Sequence, residues 1–162
     1  MEDKAKKEAE IKVEKQQSVV LKDENEMDFR TKEAYKTLRA NLEFAGDDVK
    51  VIAVTSCTPN EGKSSISMNL AKAIAESGKK VILIDADLRK SVLVGRYKTG
   101  AVKYGLTHYL SGQKTFNEVY CNTNIKNLYI AFSGPVPPNP SELLGGKYFG
   151  SMVKSLRSVF DY

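Results

Sequence analysis

No stretch of the 162-residue chain reaches the roughly 18 consecutive apolar residues that a membrane-crossing helix needs. The first residues are lysines and acids where a secretory leader would carry an apolar segment, so no signal peptide is expected. Cysteine is scarce. Cys57 and Cys121 are too few for a metal cluster and suit a reducing compartment. Histidine occurs once, as His108, which is read as a surface helix position without a chemical role. Basic residues are not interleaved with aromatics as on a nucleic-acid surface, so no nucleic-acid partner is expected. Internal repeats are absent. The composition that remains, 41% hydrophobic and 28% charged, is that of one ordinary soluble domain.

The chemistry concentrates in residues 49–90. Residues 49–55 carry the apolar run Val51, Ile52, Ala53, Val54 and are expected to form a strand. Residues 56–62 are turn-rich. From Lys63 the spacing becomes helical, with Ile66, Leu70, Ala73 and Ile74 on one face and Gly78 as the stop. Residues 81–84 form a second apolar run, ending in Asp85.

A loop between a strand and a helix N-terminus presents unpaired N–H groups and the positive end of the helix dipole to an anion. Pro59, Asn60, Glu61, Gly62, Lys63, Ser64 and Ser65 occupy that place. Gly62 permits close backbone approach to phosphate. Lys63 can reach β- and γ-phosphate oxygens, and the Ser64 hydroxyl can ligate Mg²⁺. The first glycine of G-x-x-x-x-G-K-[ST] falls at Cys57, so the pattern is incomplete. Asp85 and Asp87 stand at the C-terminal end of the next strand, where open α/β sheets place ligands, and both carboxylates can face one Mg²⁺–phosphate group. The competing readings are a structural turn with a surface lysine, and a helix-capping Asp beside a solvent Asp.

The segments Thr58-Pro59-Asn60-Glu61-Gly62-Lys63-Ser64-Ser65 and Ile84-Asp85-Ala86-Asp87-Leu88-Arg89 resemble the Walker A and Walker A′ motifs of the bacterial tyrosine kinases of capsule and exopolysaccharide synthesis. ParA- and MinD-like ATPases carry an extra lysine five residues before the P-loop lysine, and Thr58 holds that place here. The resemblance implies an α/β fold: a P-loop NTPase-like parallel sheet with flanking helices.

Residues 1–28 hold six lysines against nine acids, a balance of −3, and are read as a charged flexible tail. Residues 29–162, read as the N-terminal part of the kinase domain, carry +8. That excess suits the solvated lysines of a nucleotide-binding domain, or an anionic membrane surface or acidic partner. Residues 29–44 form an amphipathic helix with Tyr35, Leu38 and Leu42 at helical spacing and Thr31 as N-cap. Glu33, Lys36 and Arg39 make a charged ridge on it. In the resembled kinases a Glu-x-x-Arg-x-x-Arg motif here contacts neighbouring subunits. Lys36 replaces the middle Arg and cannot make its planar two-pronged contact.

Further on, residues 88–103 read as a flexible connection, 105–112 and 116–120 as short helices, and 127–132 as a third strand. Residues 133–140 read as a proline-held loop and 147–160 as a last helix with Phe149, Val153, Leu156 and Phe160 inward. The Gly105-Leu106-Thr107 segment and the proline loop also resemble the tyrosine kinases. The resemblance places a Walker B strand after such a helix, beside the P-loop strand, and later strands with a C-terminal tyrosine cluster. These are not among the 162 residues, so a truncated member with C-terminal strands missing is expected, exposing apolar surface on 51–54.

The function so implied is an ATP- and Mg²⁺-dependent, autophosphorylating protein tyrosine kinase acting at the cytoplasmic face of the membrane. Lys63, Asp85 and Asp87 are the catalytic candidates, and Ser64, Asp85 and Asp87 the metal candidates. The implied partners are a membrane-embedded polysaccharide activator, further copies of the chain, and tyrosine-bearing proteins. The alternatives are a non-catalytic interaction protein and a ParA/MinD-like ATPase.

Overall fold

Four short apolar or alternating stretches build one sheet, and the computed structural model describes residues 16–22 and 27–162. Strands β1 (Gln17–Val19), β2 (Val81–Ile84), β3 (Cys121–Thr123) and β4 (Leu128–Ala131) lie in the order β1-β3-β4-β2. β1 runs parallel to β3 and β2 parallel to β4, with Val81 opposite Leu128 and Ile84 opposite Ala131. β3 and β4 are antiparallel, joined by a tight turn in which Asn127 takes a φ of 66°. The α/β class and the strands at β2 and β4 are as expected. The sheet is mostly rather than wholly parallel because so short a connection cannot make a crossover.

Helices cover both faces. β2 shows the division, because its side chains alternate. Val81 and Leu83 join a cluster with Met68, Ile74, Leu128 and Ile130, while Ile84 joins Leu88, Leu106 and Met152. The first cluster lies under α1 (Phe29–Phe44) and α2 (Lys63–Glu76). The second is built from α4 (Leu106–Leu110), α6 (Pro140–Gly145) and α7 (Lys147–Leu156). Each fully buried aliphatic side chain contributes roughly 1.5–3 kcal/mol. Two short helices, α3 (Leu93–Arg96) and α5 (Phe116–Val119), fill the remaining connections. Residues 88–103 are therefore not a simple flexible link, since Leu93 and Tyr97 are buried. The cap of α1 is Asp28, whose carboxylate accepts from the Thr31 N–H at 2.9 Å and the Thr31 hydroxyl at 2.8 Å. Thr31 is the donor here, not the capping residue.

Two expectations fail. The tail reading of 1–28 fails for residues 16–22, while 1–15 and 23–26 lie outside the described residues. Val19 and Leu21 are buried. The Gln17 amide donates to the carbonyls of Tyr104, Glu118 and Val119 at 3.1, 2.8 and 3.2 Å. Its oxygen accepts from the N–H groups of Lys103 and Tyr104 at 2.8 and 3.1 Å. One glutamine thus binds this segment to two others, at 103–104 and 118–119.

The second failure is the strand at 49–55, which among the described residues pairs with no ladder. Local turns take its first N–H groups, Val49 to Gly46 and Lys50 to Asp48. A ladder needs a neighbour about 4.8 Å away. The free edge of β2 is instead met by the last residues: Tyr162 N–H donates to Lys80 O and Ile82 N–H to Tyr162 O. Val51 and Val54 are 50% and 37% exposed, as expected of an uncovered strand position.

Candidate active site

The loop ahead of α2 has the backbone of an anion cradle. Asn60 and Gly62 both take left-handed conformations, φ 65° and 92°. Nothing lies within 4 Å of where a Cβ would stand on Gly62, so the backbone is open to a ligand there. Gly62 precedes the first turn of α2, and its carbonyl accepts the Ile66 N–H at 2.9 Å. Lys63 Nζ donates to Ser56 Oγ at 2.7 Å, which folds the ammonium back over the loop. Ser56 Oγ in turn donates to the Thr58 carbonyl at 2.9 Å. Pro59, Asn60 and Glu61 are exposed, and Ser64 and Ser65 half-buried on the first turn. Hydrogen bonding by the Thr58 hydroxyl, then by the Thr58 N–H, holds the Glu61 carboxyl below its ordinary value.

The two acidic candidates differ. Asp85 is 8% exposed, just past the end of β2. Its oxygens accept from the Asp87 N–H at 3.2 Å and from the Ser91 hydroxyl in a short contact. Burial pushes its carboxyl above the ordinary value, and the Ser91 and Asp87 donors pull back against that. Asp87 is exposed, and its Oδ1 accepts the N–H groups of Arg89 and Lys90 at 3.3 and 2.9 Å. It caps the turn that follows. Ser64, Asp85 and Asp87 supply only oxygen donors, the type that Mg²⁺ selects. The open glycine cradle with its adjoining lysine fits a phosphate chain.

Sequence reasoning missed the support behind Asp85. Ser91 stands in a segment read as a flexible link. On the other side, Ser133 ends the run from β4, and its carbonyl accepts the N–H and hydroxyl of Thr107 at 2.9 and 2.8 Å. Gly105 and Gly134 touch backbone to backbone: a Cβ on Gly105 would lie 2.4 Å from Gly134 N. Arg89 Nη2 donates to Ser141 Oγ at 3.1 Å, tying the turn after Asp87 to the start of α6. The glycine and proline signals of these loops were visible, but their meeting was not. His108 caps this junction, its Nδ1 accepting the Gly105 N–H at 3.1 Å.

The ridge on α1 is not uniform. Lys36 pairs with Glu33 at 2.7 Å on the surface. Arg39 turns toward α2, donating to the Ala73 carbonyl at 3.2 Å, and is only 23% exposed. Its Nε lies 3.6 Å from Glu43, beyond hydrogen-bond reach.

Residues 49–136, more than half of the chain, match the family model described as an AAA domain. Tyrosine-protein kinase CpsD of Streptococcus agalactiae is 44% identical over 134 residues, which cover 82% of this chain and 58% of that protein. The chain belongs to the AAA-domain family, and the relatives it is similar to are bacterial tyrosine kinases. YwqD of Bacillus subtilis, also a tyrosine-protein kinase, is 41% identical over 80% of this chain and 55% of its own length. Among solved structures, the kinase domain of the Escherichia coli tyrosine kinase ETK superposes with a TM-score of 0.75 at 34% identity, over 80% of this chain and 51% of that one. The chimerical protein CapA2B2 gives 0.73 at 29% identity, over 90% and 67%. The chain thus spans under two thirds of the length of the curated relatives named here. The family binds nucleotides through its P-loop. No helix among the described residues is long and apolar enough to cross a membrane.

Proposed function

We propose that these 162 residues carry the nucleotide-phosphate site of an ATP- and Mg²⁺-dependent, autophosphorylating protein tyrosine kinase that regulates capsular or exopolysaccharide synthesis. The observation that carries this reading is the pairing of an open glycine cradle at Gly62 and Lys63 with a buried carboxylate, Asp85, at the end of β2. Backbone N–H groups of residues 60–65 hold phosphate oxygens, and Lys63 exchanges its Ser56 partner for them. Ser64 and Asp87 would hold Mg²⁺, with Asp85 either joining them or serving as the base, and the ion when bound would neutralise phosphate charge. As the base, Asp85 accepts the proton of the incoming tyrosine hydroxyl. Its raised proton affinity suits a base, because a carboxylate at its ordinary value holds a proton poorly near neutral pH.

In this reading the unit runs from residue 16 rather than 29, works under a membrane-embedded polysaccharide activator at the inner face of the membrane, and acts on protein tyrosines. Glu33 and Lys36 face outward for self-association, and Arg39 sets the angle of α1 against α2. The non-catalytic alternative is favoured by one observation: among the described residues 49–55 pairs with no strand, so no ladder fixes the loop that follows it.

Titration calorimetry with Mg²⁺–ATP on this chain and on Lys63→Ala separates the two. Binding that Lys63→Ala removes supports the nucleotide site, and phosphotyrosine lost in Asp85→Asn then supports the kinase. A folded chain that binds no nucleotide sinks the site and leaves the interaction protein.

A further inference from the structure

An open groove of about 700 Å³ lies where α4, α5 and the first turn of α7 meet. Its walls are three rings: Tyr109 on α4, Phe116 on α5 and Tyr148 on α7. Tyr109 stands edge-on to both of the others. Its ring centre is 5.4 Å from Phe116 at 76° and 5.9 Å from Tyr148 at 70°. A notch therefore opens on either side of one central ring. The Tyr109 hydroxyl donates to the Tyr148 carbonyl at 3.3 Å, which holds α4 against α7. On the rim, Lys114 and Glu118 pair at 2.8 Å, so their charges cancel.

Aromatic notches with a neutral rim select an uncharged, extended segment rich in proline, which docks with little loss of entropy. A charged ligand would meet no net charge on the rim, and a single planar ring would fill one notch and leave the other open. The chain carries one such segment itself. Four of its five prolines stand in residues 135–140, Pro-Val-Pro-Pro-Asn-Pro, which hold no charge. Proline and the residue before it both favour the polyproline conformation. Pro137 is buried and roots the segment, whereas Pro135, Val136 and Pro138 are exposed, Val136 at 69%. The ends are pinned, by Thr107 on the Ser133 carbonyl and by Arg89 on the Ser141 hydroxyl. The segment does not line the groove of its own chain, and its pinned ends keep it from swinging there.

We propose that the aromatic groove of one copy of the chain takes the proline segment, residues 134–140, of a second copy. Val136 and Pro138 lie about 6 Å apart along a polyproline helix, close to the ring spacing, and enter the notches on either side of Tyr109. Groove and segment are different surfaces, so the contact is head-to-tail and repeats from copy to copy. It uses none of the α1 ridge. The docked segment runs into α6, which Arg89 ties to the turn after Asp87, so each contact steadies a loop of the candidate site in the copy that donates it.

The test first adds an end-blocked peptide Gly-Pro-Val-Pro-Pro-Asn-Pro, the sequence of residues 134–140, to the full chain and follows the aromatic resonances by NMR. The expected result is a shift of Tyr109, Phe116 and Tyr148 that saturates with a Kd below about 1 mM. The peptide with alanine at its prolines shifts nothing, and Tyr148→Ala removes the response. Sedimentation then follows the chain in a Glu33→Ala, Lys36→Ala background, which silences the α1 ridge. There Val136→Asp and Tyr148→Ala, both at exposed positions that leave the fold intact, each weaken self-association at least about tenfold. Mixed one to one, the two variants form a dimer that neither forms alone, because the intact groove of one takes the intact segment of the other. No ring shifts at about 1 mM peptide, or shifts that survive Tyr148→Ala, overturn the proposal. A mixture that stays monomeric also overturns it, and peptide shifts in that case would assign the groove to another proline-bearing protein. Neither measurement uses nucleotide, so the result stands apart from that of the phosphate site.

Discussion

Residues 81–84 and residues 49–55 carry the same kind of apolar run, yet only the first is a strand. β2 has β4 along one edge and Tyr162 at the start of the other. The segment at 49–55 has α2 beyond it and an open gap toward Ile82 and Ile84 of β2 beside it. An apolar run supplies the surface for a sheet position, and the neighbour supplies the ladder. The molecule is therefore divided into a paired half around β4 and an unpaired half around the phosphate loop.

Substitutions sharpen that division. Ile130→Ala, fully buried in β4, is expected to cost about 2–5 kcal/mol in urea unfolding, and a small cost would mean the paired half is not the stability core. Gly105→Ala drives a methyl into Gly134 backbone and should cost about 1–3 kcal/mol or more. Its midpoint in the same titration checks this. Gln17→Ala leaves carbonyls of Tyr104, Glu118 and Val119 without a donor, a loss of about 1–3 kcal/mol. If Gln17→Ala were neutral, the N-terminal strand would belong with the loose half instead. Val51→Ala should change stability by less than about 0.5 kcal/mol, the mark of a side chain with little to pack against.

Acid sharpens it last. Hydrogen bonds from Lys114, then Thr115, hold Glu118 down at about 2 against an ordinary 4.5. Since the folded value is the lower, its contribution is present above pH 4.5 and is lost as pH falls through about 2. Glu118→Gln should flatten the melting midpoint across that window, measured by circular dichroism.

The parts legible in the sequence were those governed by local periodicity. α1, α2, β2 and β4 fall where apolar spacing puts them, and Gly62 and Gly78 take the positive φ that a loop and a helix stop need. Long-range pairing was not legible. β1 is three residues beside a charged tail, and its place depends on Gln17 finding carbonyls about a hundred residues away. β3 is also three residues long, and Asn122 and Thr123 carry no apolar signal. In the site, Lys63, Asp85 and Asp87 follow from motif spacing, whereas Ser91 and the Gly105–Gly134 contact exist only once loops meet. The α1 ridge was legible as a charge pattern, but the inward turn of Arg39 depends on a carbonyl of another helix.

The pairing of Gln17 with Cys121 bears on how the chain is made. At roughly 5–20 residues per second, β1 leaves the ribosome several seconds before its partner strand exists. Contacts of such large sequence separation close late, after the helices and the β3–β4 hairpin have formed. During synthesis Val19 and Leu21 wait in solvent, flanked by lysines and acids that keep so short an apolar stretch from joining another nascent chain. The charged N-terminus thus acts before the fold exists, as a guard on the seam that closes last.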